Sequence, residues 1–274
     1  MDELKITSVV REAYSGVVQN RTGCCSGGSC GADTRQHAKS CGYSDEELAA
    51  IPDGANFGLS CGNPTALAGL KEGEVVLDLG SGAGFDCFLA ASIVGISGKA
   101  IGVDMTPAML EKARENARTA NVGNVEFRLG EIEHLPVVDN SVDVVISNCV
   151  INLSARKQQV FSEIHRVLKP GGRVSISDVA LVAELPPEIK ASAEAYVGCV
   201  AGAVLIDDYR RLVEASGLTD IRLTVKGSSG CGGKDSADPF AEGIASVLKP
   251  GASLDDYAVS LAVEARKADG GRPA

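Results

Sequence analysis

The sequence predicts an α/β fold built on a mostly parallel sheet, and three observations carry that expectation. Short apolar runs that end in an acid, such as Val75-Val76-Leu77 before Asp78 and AIGVD ending at Asp104, read as buried parallel strands. Helical stretches alternate with them, the pattern of strands joined by crossover helices. The first strand runs into a loop with Gly80, Gly82 and Gly84 at alternate positions, where the backbone turns sharply and approaches a ligand with no Cβ in the way. FDCFLAASIV follows, a predicted helix with Phe85, Phe88, Leu89 and Ile93 on one face. Strand, glycine loop and helix N-terminus together form a nucleotide-type pocket.

Spacing narrows the choice of nucleotide. The dinucleotide fingerprint asks for a glycine three residues after Gly82, where Phe85 stands, and Gly-Lys-Ser/Thr of a phosphate loop is absent. What remains is acid-x-Gly-x-Gly-x-Gly, which resembles motif I of the class I S-adenosylmethionine (SAM) methyltransferases. Twenty residues beyond Gly84 comes Asp104, an acid placed to accept both ribose hydroxyls. The expected cofactor contacts are Asp78, Gly80, Ser81, Gly82, Gly84, Asp104, Met105, Glu131, Ile132 and Asn148. Glu131 and Ile132 belong to EIEHLP, where an acidic side chain and a backbone N–H are placed to meet an adenine edge.

The other elements follow in order. Ile6, Val9, Val10, Ala13 and Val17 give an amphipathic first helix. RTGCCSGGSCGADTRQHAKSCGYS reads as a mobile loop. Ser44 and Glu47 form a capping box on SDEELAAI, and Asn63-Pro64 starts TALAGL. Thr106 and Pro107 open a helix to about Ala120, and Val125–Gly130 is the third strand. Val142–Ser147 is the fourth strand, and Ser154 is expected to cap a helix whose Val160, Phe161, Ile164, Val167 and Leu168 face the core. KPGG should stop that helix before RVSISD, a fifth strand ending at Asp178. LPPEIKASAEAYVGCVAGAVL reads as a helical insertion; a helix over Asp207–Ser216, a strand over Asp220–Val225, a Gly/Ser loop with Cys231 and a final alternating strand over Tyr257–Ala265 complete the chain. The tail ADGGRPA reads as disordered.

The 274 residues fit one large or two small domains, and 45% hydrophobic residues suffice for a substantial core. The organisation expected is a lid over 1–63, a Rossmann-like core over 64–180, and a substrate-side insertion with closing strands over 181–274. A net charge of -10 and a pI near 4.9 argue against nucleic acid and anionic membranes, and favour a neutral or cationic substrate. No apolar run spans a bilayer and the N-terminus carries no export signal, so a cytoplasmic protein is expected. Oligomeric state is not legible.

Nine cysteines are many for a reducing compartment, too few for a disulfide scaffold, and none form Cys-x-x-Cys. Cys149 lies just past the fourth strand, on the rim where ligands bind in such sheets. Cys61 and Cys199 sit in flanking segments able to fold over that rim, and three converging thiols would make a soft, trigonal ligand set. Cys87 reads as a core residue, Cys231 as incidental, and Cys24, Cys25 and Cys30 as either a capture loop or a reactive tip. His37, His134 and His165 read as polar surface or loop residues, Asp178 as a turn acid, and Glu111, Lys112, Arg114 and Glu115 as a solvated helix face.

VISNCVINLS, GEIEHLP, GVDMTPAMLEKARENA, LGSGAGFDCFLAA and NFGLSCGNP together resemble the arsenite methyltransferase family, from Gly42 to about Gly202. The resemblance implies a class I methyltransferase fold whose last strand is antiparallel, and SAM-dependent methylation of trivalent arsenic for detoxification. It implies arsenic ligation by Cys61, Cys149 and Cys199, and a transient disulfide between Cys61 and an N-terminal cysteine, Cys24 or Cys25. An external thiol reductant, thioredoxin or glutathione, would reset the thiols. Gly198 stands where many members have glutamate before the third cysteine, so no acid is expected beside that thiol, and the extra C-terminal region of longer members is not expected. The competing readings are a methyltransferase of another small molecule or a quinone, and an inactive thiol-rich arsenic binder.

Overall fold

The computed structural model describes residues 3–20, 30–190, 192–228 and 253–270. Seven strands, β1 (Val75–Leu79), β2 (Lys99–Asp104), β3 (Val125–Leu129), β4 (Val142–Asn148), β5 (Leu168–Leu181), β6 (Leu218–Ser228) and β7 (Ala258–Lys267), form one sheet in the order β3-β2-β1-β4-β5-β7-β6. The pairs from β3 through to β5 are parallel. β7 is antiparallel to both β5 and β6, the arrangement implied by the resemblance. The chain winds outward from β1 to β3 and then returns to β4 beside β1, so a crevice opens beyond the carboxyl ends of β1 and β4.

Both faces are covered, which is why the strands read as continuous apolar runs. On one face α7 (Lys157–Val167) and α10 (Ile206–Ala215) pack Phe161 edge-to-face on Tyr209, ring centroids 5.7 Å apart. On the other lie α5 (Phe85–Val94) and α6 (Pro107–Thr119). Tyr43, Leu48 and Ile51, around α3 (Asp45–Ala50), join that second core. Burial of each such aliphatic side chain stabilises by about 1.5–3 kcal/mol, and it anchors the N-terminal segment where it delivers Ser60 and Cys61 to the crevice. Local chemistry agrees: Ser44 and Glu47 close the expected capping box, and Asn63 accepts the Ala66 N–H at 3.0 Å to start α4 (Pro64–Ala68). α1 (Glu3–Asn20) rests Ile6 and Val10 against Tyr196. Among the described residues no helix is long and apolar enough to cross a membrane.

Several expectations are corrected. From Cys30 the supposed loop is a helix, α2 (Cys30–Ser40), because buried Ala38 packs into the core and tertiary burial outweighs weak propensity. Ile93 is 40% exposed; α5 instead buries Cys87, Ala90, Ala91 and Val94, being enclosed between the sheet and the N-terminal segment. Ser154 does not cap α7, since its hydroxyl accepts the Arg156 N–H at 3.0 Å in a turn before the helix begins. KPGG lies inside β5 as an irregularity between the Val142–Leu168 and Val144–Arg173 pairs. β5 then runs on to Leu181, so Asp178 is fully buried in a strand, not a turn acid. β7 does not alternate: Ser260 to Val263 are all buried, because it is an interior strand. The helical insertion is two short pieces, α8 (Pro187–Lys190) and α9 (Ala193–Val197), with Cys199 in the turn after them. Cys231 and the end of the tail lie outside the described residues.

Candidate active site

The crevice holds a cleft of about 1130 Å³. Asp78, Gly80, Ser81, Gly82, Asp104, Met105, Ile132 and Asn148, all expected from the sequence, line it. Gly80 has φ +66, and a Cβ there would run into Val150; Gly82 has φ +51, and a Cβ there would make only an ordinary contact with Met109 Sδ at 3.9 Å. Asp104 is aligned by two amides: Gly82 N–H donates to Oδ2 at 2.9 Å and Thr106 N–H to Oδ1 at 2.8 Å. The Thr106 side chain donates to Asp104 as well, and the carboxylate, with about four acceptor sites, keeps capacity for a further donor. Ser81 Oγ, buried in the wall, has no hydrogen-bond partner among the described residues.

Two expected contacts do not line the cleft. Gly84 packs against the rings of Phe88 and Phe127, and Glu131 faces Arg11 at 3.4 Å. Glu133, two residues on, lines the cleft instead and accepts from Ser154 Oγ. Sequence reasoning also misses Asp86 and the Ala55–Ser60 segment. A signal for Asp86 is present, an acid in the first turn of the helix after the glycine loop.

The cleft is strongly acidic in character. Burial, then the charges of Asp86 and Asp104, pushes Asp78 well above the usual carboxylate range. Burial raises Asp86 to about 6, opposed by hydrogen bonds from Tyr43 and Asn148. Burial raises Asp104 too, against its two amide donors. Acids held this way are stabilised by an incoming cation.

A smaller cavity of about 330 Å³ adjoins the cleft, and Cys61, Cys149 and Cys199 all line it with His37. Tyr14, Leu59, Ser60 and Cys149 line both spaces. Cys61 and Cys149 are joined as a disulfide, Cα atoms 5.9 Å apart, and the Cys199 thiol donates to the Cys149 carbonyl at 2.8 Å. The resemblance pairs Cys61 with an N-terminal cysteine; the structure closes it on Cys149. Cys24 and Cys25 lie outside the described residues. In this oxidised arrangement no group of three His, Cys, Asp or Glu among the described residues is set to hold a metal ion. Cys149 and Cys199 both have left-handed backbones, φ +54 and +63, a conformation costly for a residue with a Cβ and concentrated at functional sites. His37, read as a surface or loop residue, donates its Nε2–H to Ser60 O at 2.8 Å beside Cys61.

Beneath the cavity lies a buried polar group. Asp178 accepts from Asn152 Nδ2 at 2.8 Å and Tyr209 OH at 3.4 Å, and burial lifts it to about 7. Lys157 Nζ donates to Ser154 O at 2.7 Å and Asn152 O at 3.2 Å; burial lowers it to about 8, opposed by Asp178, Cys199 and Glu133.

Comparison with known proteins agrees with this geometry. A methyltransferase domain model matches residues 70–217. An arsenite methyltransferase of Halobacterium salinarum is 45% identical over 97% of this chain and 68% of its own length. One from Mus musculus is 39% identical over 54% of this chain and 42% of its own, so the chain spans less than half of that relative. The crystal structure of an arsenic(III) SAM methyltransferase from Chlamydomonas reinhardtii superposes with a TM-score of 0.61 at 33% identity, covering 88% of this chain and 75% of that one.

Proposed function

Because this chain belongs to the arsenite methyltransferase family, we propose that it methylates trivalent arsenic held by Cys61, Cys149 and Cys199, with SAM as methyl donor. One observation carries the reading: Cys149 lines both the acidic cleft and the cysteine cavity, so a thiol-bound atom and a ligand of the cleft would meet across it.

The cleft fits SAM on its own chemistry. When bound, SAM supplies an electrophilic methyl group on a positively charged sulfur. Asp104, already aligned by Gly82 and Thr106, would hold the ribose hydroxyls. Asp78 and Asp86 would offset the positive charge, the orphaned Ser81 hydroxyl would gain a partner, and Ile132 and Glu133 would border the base.

The thiols do the rest. Cys61 and Cys149 must first be reduced: two reductant thiols deliver two electrons and two protons and leave as their own disulfide. Thioredoxin or glutathione suits this step, and the cytoplasm is the compartment that keeps such thiols reduced. Arsenite is neutral at pH 7, consistent with an acidic protein. Each thiol then displaces one hydroxyl from arsenic and gives its proton to the departing water. The bound arsenic keeps its lone pair, which is the nucleophile; it carries no proton, so no general base is required. Holding both reactants in register is worth up to about 7–11 kcal/mol of barrier.

The test is to incubate the reduced protein with arsenite, SAM and a thiol, then separate the arsenic species and quantify S-adenosylhomocysteine. Arsenite-dependent S-adenosylhomocysteine together with methylated arsenic is expected. Methyl transfer to another acceptor without arsenite would overturn the reading in favour of an ordinary small-molecule or quinone methyltransferase. Arsenite binding with no SAM binding would make the chain a thiol-rich buffer.

A further inference from the structure

Asn148, expected as a cofactor contact, has a second set of partners. Its Oδ1 accepts the backbone N–H of Cys61 at 3.0 Å, and its Nδ2 donates to Gly62 O at 2.9 Å. These two partners, one a donor and one an acceptor, admit a single orientation of the amide. Nδ2 also reaches Asp86 Oδ2 at 3.0 Å and Tyr43 OH at 3.0 Å, while Tyr43 OH donates to Asp86 Oδ1 at 2.7 Å. Through its own peptide bond Asn148 leads into Cys149, whose N–H is tied to Ser177 O at 2.8 Å and whose φ is +54. One residue thus grips Cys61 by its side chain and Cys149 by its main chain, although the two cysteines are 88 residues apart. Asp86 lines the cleft, whereas Tyr43 is buried behind it and does not.

We infer that Asn148 is a positioning residue that sets the Cys61 thiol in register with the Cys149 thiol for arsenic and links that register to the occupied cleft through Asp86 and Tyr43. The inference rests on the reading above, in which these thiols hold the substrate. It follows from the packing. Cys61 lies on a segment with no regular secondary structure, and Asn148 fastens that segment to the end of β4 on both sides of the Cys61–Gly62 peptide. Without that tie the Cys61 thiol would range over more positions, and closing an arsenic site would cost more entropy.

The experiment uses the full, reduced chain and arsenite itself as probe. Affinity for arsenite is measured without SAM, SAM affinity is measured separately by calorimetry, and the cysteines that arsenite shields from alkylation are mapped by mass spectrometry. In Asn148→Ala the arsenite dissociation constant should rise about tenfold, the effect of one lost buried hydrogen bond. Cys61 should lose its protection while Cys149 and Cys199 remain shielded as a pair. Tyr43→Phe keeps the ring against Phe85 and removes only the hydroxyl. It should weaken arsenite binding less, by about two- to fivefold for a partial loss of the network, and should raise the arsenite KM with little change in kcat. If both variants bind arsenite as the wild type does, with Cys61 still shielded, the inference is overturned and Asn148 is a cofactor contact alone. A tenfold loss of SAM affinity with arsenite affinity unchanged overturns it in the same way. If arsenite fails to shield Cys61 in the wild-type protein, the functional reading itself falls, and the inference with it.

Discussion

The two halves of the active site are built in opposite ways. The floor of the cleft comes from one continuous stretch: β1, the glycine loop, the first turn of α5 and the end of β2 lie within Val75 to Thr106, and residues of α1, Ala55–Ser60, Gly130–Glu133 and Asn148–Ser154 complete its walls. The cysteine cavity is made by residues at 61, 149 and 199, on three segments far apart in sequence. The first half is specified by local geometry and survives most changes elsewhere. The second depends on two left-handed cysteines, a side-chain tie and the redox state of one sulfur pair. Variants in one half, away from the Asn148–Asp86–Tyr43 link, should therefore spare the other.

The largest effect should come from the thiol side. Cys149→Ser removes the sulfur that borders both spaces. Arsenite-dependent S-adenosylhomocysteine release should fall to background while SAM affinity, followed by calorimetry, stays within about twofold, because serine keeps the volume but is a poor ligand for a soft centre. Retained arsenite turnover would sink the division of labour. The mirror experiment is Asp104→Ala. Loss of a charged acceptor for two hydroxyls should weaken SAM by about 10- to 100-fold, with arsenite still shielding Cys61, Cys149 and Cys199 from alkylation. A parallel loss of shielding would mean that the halves are not separable.

The same contrast explains what is legible in the chain. Gly80, Gly82 and Asp104 can be placed because strand, turn and strand are short-range events, and Asp104 meets Gly82 as the spacing implies. The strand count, the antiparallel last strand and the convergence of Cys61, Cys149 and Cys199 need family resemblance, since no local rule relates residues so far apart. The misses have specific causes. Glu131 rather than Glu133 is expected to face the cleft because a non-periodic turn gives no parity by which to decide which acid points inward. Asp178 looks like a strand end because a polar residue interrupts the apolar run, yet Asn152 and Tyr209 satisfy it inside the sheet. Cys30–Ser40 looks like a loop because its glycine and polar residues hide the buried Ala38 that docks it. Asn148 reads in the sequence only as a neighbour of the cofactor, and its bond to Cys61 depends on a contact 87 residues away.

A subtler comparison lies within the glycine loop. Gly80 and Gly82 share a left-handed backbone, but only Gly80 is pressed against Val150, the residue that follows Cys149. Alanine at Gly82 should cost only the left-handed strain, about 1–2 kcal/mol. Alanine at Gly80 should add overpacking, for about 2–4 kcal/mol in all, and displace Val150 toward the thiols. Urea midpoints read the stability, and arsenite affinity reads the displacement. Equal losses in both variants would show that the Val150 contact relaxes freely.

The smallest effect is a dependence on pH, and it too separates the halves. Asp86 in the cleft is raised from 3.8 to about 6, and Asp178 under the cavity to about 7, both chiefly by burial. Each folded-state value lies above the unfolded one, so each contributes stability that is complete below about pH 4 and is lost as pH rises through 6 and 7 respectively. Of these two, only Asp86 lines the cleft, beside Asp78 and Asp104, so a cation there favours its ionised form and not that of Asp178. SAM binding at pH 5 should therefore expel a proton. Its affinity should climb several-fold from pH 5 to 7, with a slope of about one decade per unit for each proton released. Calorimetry in buffers of different ionisation enthalpy counts that proton directly. Asp86→Asn should flatten the affinity profile, and Asp178→Asn should flatten only the upper part of the stability profile. Tyr209 packs on Phe161 as well as on Asp178, so its ring contact persists when the carboxylate is replaced. If Asp178→Asn instead abolishes the pH dependence of SAM binding, the proton is shared across the sheet and the two halves titrate as one.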